Sequence, residues 1–138
     1  MSTVPNWIAK AVIYEPHDYG RSARVINTTG WRSTRMQVIV TCDGPRGPIE
    51  RRFGLADLTE IRQRDSWTSR ARLMEPSDPK VVEAKSGMAC RAAVSDLKTV
   101  IEETRLDPSV MDAEALVVAI GRIQRAATKA MADLSEVL

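Results

Sequence analysis

The sequence predicts an α+β chain: a small, strongly bent antiparallel β-sheet or barrel, followed by a long antiparallel two-helix hairpin. Three observations predict it. Short β-branched runs separated by turn formers fill the first half, a glycine- and proline-rich break splits the strongest of them from its partner, and two Asp-Pro steps precede helix-periodic stretches in the second half. The expected organisation is a β-barrel-like module over 1–64, a linker over 65–77 and a helical hairpin over 78–138.

Trp7 to Tyr14 and Ala23 to Thr28 read as strands, each rich in β-branched residues and bounded by turn formers. Arg35 to Thr41 is the strongest strand, with Met36, Val38 and Val40 on the face expected to meet the core and Arg35, Gln37, Ile39 and Thr41 on the other. Asp43 to Pro48 reads as a turn, because two Gly and two Pro in five residues oppose both helix and central strand. Ile49 to Phe53 then returns as the partner strand, giving a hairpin with arginine at its tip and on its second arm. Gly54 to Ile61 fits either a helical turn leading into a small strand or one short helix.

Asp78-Pro79 and Asp107-Pro108 each place a capping carboxylate before a proline that suits a first helical position, so a helix is expected to begin at each. The first, about Pro79 to Thr104, carries a stripe of Val82, Ala89, Ala93, Leu97, Val100 and Ile101. The second carries Ala113, Leu116, Ile120, Ile123, Ala127, Ala130, Leu134 and Val137 at alternating spacings of three and four. The short loop from Arg105 to Asp107 predicts an antiparallel pair. Two helices bury only one face each, so the pair needs a third surface, supplied by its own barrel, by self-association or by a protein partner. Val117, Ile120, Ile123 and Met131 are the expected partner-binding residues.

The run Asp18 to Gly30, the long strand, the glycine-rich hairpin and Phe53-Gly54-Leu55-Ala56-Asp57-Leu58-Thr59-Glu60-Ile61 together resemble a Src-homology-3-like small barrel of the KOW-related kind. The likeness covers about a third of the chain. It departs from the KOW pattern at Ser33-Thr34-Arg35, where a second glycine normally stands. The resemblance implies a barrel that can serve as a nucleic-acid binder, a protein-binding module or an accessory domain of an enzyme.

The chain has 138 residues, is 43% hydrophobic and 28% charged, and has six aromatic residues, three of them Trp, so its core must be aliphatic. The absence of a long apolar run and of a basic leader predicts a protein without a membrane span, in the cytoplasm. Cys42 and Cys90 have no CxxC partner or His-rich neighbourhood, so no metal centre or cofactor is expected. His17, in a proline turn beside Asp18, reads as a surface histidine and not as a general base. No phosphate-binding glycine loop, nucleophile elbow or HExxH motif is present, and the chain is expected not to be an enzyme.

Charge is uneven. Residues 1–80 hold 13 Lys or Arg against nine Asp or Glu, and residues 81–138 hold seven against nine. Between residues 21 and 72 all 11 cations are arginine, whose planar fork suits phosphate and carboxylate. Arg32, Arg35, Arg46, Arg51 and Arg52, with Trp31 as a stacking face, form the expected nucleic-acid-binding set. Trp31 equally fits as a cap on the barrel core, and Trp67 as an anchor against the helices. Two functions follow: a non-catalytic nucleic-acid-associated accessory protein, or an assembly subunit, such as a small phage structural protein or an inhibitor of a nucleoprotein complex, whose arginines meet an acidic protein surface.

Overall fold

The computed structural model describes residues 3–16, 22–61 and 70–138. They form six strands and two long helices, an α+β arrangement with the strands first. The chain divides within its first long helix into two units, one ending at Lys85 and the other running from Ser86 to Leu138.

In the first unit a 3-10 turn, Ile8–Lys10, leads into β1 (Val12–Glu15), so the expected strand from Trp7 to Tyr14 is shorter and begins later. Lys10 and Ala11 donate backbone N–H groups to Trp7 and Ile8, and that turn tucks Ile8 into the core. β2 (Arg24–Asn27) and β6 (Arg72–Met74) flank β1 in one antiparallel sheet, while β3 (Gly30–Ser33), β4 (Gln37–Gly44) and β5 (Gly47–Gly54) make a second. The segment expected as a linker, 65–77, therefore carries a strand. Ala71 and Leu73 are core residues there, and Leu73 pairs with Ile13.

The two sheets are joined at both ends. At one, the chain bends from β2 into β3 through Thr28 and Thr29: the Thr28 hydroxyl donates to the Ala11 carbonyl at 2.8 Å, and the Thr29 N–H to the Thr41 carbonyl at 2.8 Å. At the other, residues 58–61 lie between β5 and β6. Ile61 N–H donates to Arg52 O, Glu60 N–H to Ala71 O and Leu73 N–H to Leu58 O, all at 2.8–2.9 Å. The two sheets are thus linked by the continuous chain at one side and by isolated bridges at the other, with β2 and β3 as edge strands. Gly54 to Ile61 thus takes the turn-and-strand form. Leu58 pays for it with a left-handed φ of 58°, held by its own N–H to Gly54 O and by Asp57 Oδ1 accepting from Thr59 N–H.

β4 alternates as its period requires, with Val38, Val40 and Cys42 facing the core beside Phe53, Ile13 and Leu73. Two expectations for this strand fail. Met36 lies before the strand and is exposed, and Ile39, on the opposite face, is fully covered. The hairpin turn is also tighter than expected. β4 and β5 pair from Gln37↔Gly54 to Gly44↔Gly47, so Pro48 sits inside β5 opposite Asp43, and only Pro45 and Arg46 turn. Proline cannot adopt positive φ, and Gly47 supplies it at 119°.

α1 spans Pro79–Thr104, and Asp78 Oδ1 accepts from Lys80 N–H at its start, as the Asp-Pro step predicts. Val81 and Ala84 are its buried residues within the first unit, one position before the exposed Val82 of the expected stripe. It stops at Arg105, which takes a left-handed φ of 43°. Asp107-Pro108 does not open the second helix. Asp107 Oδ1 accepts from the N–H and hydroxyl of Ser109, which hold its carboxyl below the usual range, and the chain makes one turn before Asp112 extends to ψ 176°. Asp112 then caps α2 (Ala113–Ser135), accepting from Ala115 N–H at 2.8 Å.

Within the second unit Glu103 pairs with Arg122 at 3.2 Å, and Asp96, Thr99 and Val100 line one groove with Ala126, Lys129 and Ala130. Residue numbers rise along one helix as they fall along the other, so the pair is antiparallel. Only three side chains of this unit are buried: Ala93, Ala119 and Ala130. Small residues at the crossing let the helices approach closely.

Candidate nucleic-acid interface

Residues paired across β3, β4 and β5 share a face, so the register divides the expected set. Arg32 and Arg52 both pair with Ile39 and stand on its two sides, outside the core. Trp31 and Arg51 both pair with Val40 and lie on the opposite face. Arg51 and Arg52, adjacent in sequence, therefore point to opposite sides of the sheet.

Arg51 is not available to a ligand. Its guanidinium makes a two-pronged contact with Glu60, with Nη2 donating to Oε1 at 2.9 Å and Nε to Oε2, and a second carboxylate, Glu15, lies 3.7 Å away. Glu15 in turn pairs with Arg24 at 3.0 Å. The Arg51 and Glu60 side chains are both largely covered, and hydrogen bonding to Glu60 raises the Arg51 pKa above its ordinary value against the opposing effect of burial. Glu60 comes from the bridging segment and Glu15 from β1, so this one cation ties β5 to both. Sequence reasoning missed Glu15 and Glu60 as partners. The alternation rule alone separates Arg51 from Arg52, and that was the available signal.

Of the exposed arginines, the register places Arg32 and Arg52 on the outer side of β3–β4–β5. Arg35 sits in the β3–β4 connection at one end, Arg32 and Arg52 at the middle, and Arg46 at the hairpin tip at the other end. β4, between these two connections, has eight residues, about 27 Å of strand at a rise of about 3.4 Å per residue. Arg32 pairs with Glu50 at 3.2 Å, and both side chains are open to solvent. Arg52 Nη1 donates to the neutral Gln37 Oε1 at 3.3 Å, leaving its charge uncompensated. Among the described residues, Arg35 and Arg46 have no ion pair. Trp31 is 43% exposed on the outermost strand of this sheet, on the other side from Arg32 and Arg52. Arg62, Arg64, Trp67 and His17 lie outside the described residues.

Cys42 is buried under β5, and burial pushes its thiol pKa up despite the nearby Arg51, which keeps it protonated and poorly nucleophilic. Among the described residues no three His, Cys, Asp or Glu side chains are grouped to hold a metal ion, and no helix is long and apolar enough to cross a membrane.

The expected partner residues divide as well. Val117 and Met131 are 69% and 70% exposed, Ile120 is 44% exposed, and Ile123 is half-buried. Ile120 is thus not the centre of the intramolecular seam, where Ala119 stands. No protein family, curated protein or solved structure matches the chain.

Proposed function

We propose that the protein is a non-catalytic, nucleic-acid-associated accessory protein whose β module, a Src-homology-3-like barrel, meets the sugar-phosphate backbone with its arginine row. The observation that supports this reading is the placement of Arg32 and Arg52 on one outer sheet face, with Arg35 and Arg46 in the connections at the two ends of β4 and Glu50 as the carboxylate paired with Arg32. Guanidinium groups beside a strand and in the connections at its ends suit a repeating phosphate. Contact through arginine on a sheet face fits positioning on the backbone with little sequence selectivity.

Fluorescence anisotropy with labelled single-stranded and duplex oligonucleotides tests it. Binding in the micromolar range is expected, with affinity falling steeply as salt rises. Absence of binding to either at low salt would exclude the reading. The second reading, an assembly subunit whose arginines meet an acidic protein, is favoured by the helical hairpin, where Val117, Ile120 and Met131 remain exposed. In that case the oligonucleotides would not bind and an acidic protein surface would replace them.

A further inference from the structure

The outer side of β3–β4–β5 carries carboxylates as well as arginines, and the register places them. Arg32 and Arg52 stand level with Ile39 on either side of β4, about 10 Å apart at a strand spacing of about 4.8 Å. Arg35 lies before β4 at one end. At the other end Arg46 lies in the turn after Gly44, which is five residues beyond Ile39, about 17 Å of strand at a rise of about 3.4 Å per residue. Between the middle pair and that turn, the same side holds Asp43 and, opposite Thr41, Glu50. Arg32 reaches across β4 to pair with Glu50, and both side chains stay open to solvent. The cations thus fall into two groups, Arg35 with Arg32 and Arg52 at one end and Arg46 at the other, with two carboxylates between them. Trp31 and Phe53, the aromatic residues of these strands, both belong to the opposite side.

We propose that this face binds double-helical DNA in preference to single strands, with Asp43 and Glu50 over the major groove and the arginines on the phosphates at its two sides. The inference rests on the reading of this face as a backbone contact. Double-helical DNA presents phosphates in two rows that flank a major groove about 12 Å wide, so cations in two groups meet two rows while the carboxylates face base edges. Arginine side chains leaning in from the two ends close the difference between about 12 Å of groove and about 17 Å of strand. In that groove cytosine and adenine offer exocyclic amines, which donate to carboxylates. A single strand carries a phosphate at every nucleotide. Laid along β4 it sets phosphates against Asp43 and Glu50, and laid across β4 at Arg32 and Arg52 it leaves Arg46 unused. Sequence-tolerant single-strand sites also stack bases on aromatic faces among their cations, and the exposed aromatic side chain of these three strands, Trp31, is on the other side. The major groove of double-helical RNA is deep and narrow and does not offer the same spacing.

Fluorescence anisotropy of the full chain tests the proposal with one labelled DNA strand of about 20 mixed-sequence nucleotides, alone and annealed to its complement, beside the RNA duplex of the same sequence. The wild type is expected to bind the DNA duplex about fivefold or more tightly than the single strand or the RNA duplex at equal salt. Asp43→Asn/Glu50→Gln removes both carboxylates at exposed positions, so circular dichroism should show an unchanged fold. In this variant single-strand affinity should rise more than duplex affinity, and the preference should fall by at least half. A single strand or RNA duplex bound by the wild type as tightly as the DNA duplex would overturn the proposal alone, and so would a variant that keeps the full preference. Binding to none of the three would overturn both the proposal and the reading on which it rests.

Discussion

Replacing Phe53 with alanine is expected to cost about 3–5 kcal/mol, the largest stability loss of any single core change in the first unit. Phe53 is the largest of the fully buried side chains and stands on β5 opposite Val38, among Ile13, Val40, Cys42 and Leu73. It is the chain's one Phe, and the other residues of its core cluster are Val, Ile, Leu, Ala and Cys42, whose short side chains cannot swing in to refill the space. Part of the loss comes from the transfer of the ring and part from the cavity left behind. Chemical denaturation with Phe53→Leu beside Phe53→Ala checks it: the leucine variant, which keeps most of the volume, should lose less than half as much.

Arg51→Ala is expected to be nearly as damaging for a different reason. It removes the cation from Glu60, whose carboxylate is largely covered, and leaves that charge unpaired in place, while Glu15 keeps Arg24 as its partner. A loss of about 2–4 kcal/mol follows from stranding the partner charge. Arg51→Lys should recover only part, since an ammonium cannot make the two-pronged contact with Glu60. The paired change Arg51→Met with Glu60→Leu removes both charges and should be much milder than Arg51→Ala. If the double change is as damaging as the single one, the penalty lies in lost packing and not in the unpaired carboxylate.

The β-then-α order, the β4–β5 hairpin and the bounds of α1 were legible because each rests on local signals: alternation, a Gly-Pro break, an Asp-Pro start. β3 and β6 were not, for they are made by distant pairing. Gly30–Ser33 has little strand propensity of its own and is held by Val38 to Thr41, while three-residue β6 exists through its pairing with β1. α2 was misread in phase by the same kind of cause. A repeat of 3.5 residues drifts about 20° per heptad on a straight helix of 3.6, so the stripe from Ala113 to Val137 begins on the open side and ends at the seam. Ile120 falls on the open side, and the small Ala119 and Ala130 take the crossing. At the candidate interface the residue types and the opposite facing of Arg51 and Arg52 were legible, whereas which of the two turns inward needed the register of β4 and β5.

The proposed contact of nucleic-acid phosphates with the outer face of β3–β4–β5 is read out by the salt dependence of binding in the variant Arg46→Ala/Arg52→Ala. Both side chains are exposed and outside any ion pair among the described residues, so the fold should be unaffected. Three to four arginines on backbone phosphates give the wild type a slope of about −3 to −4 in log affinity against log salt on duplex. Removing two of them should reduce that slope by about two units. A slope unchanged in the variant, with binding intact, would contradict the assignment of this face.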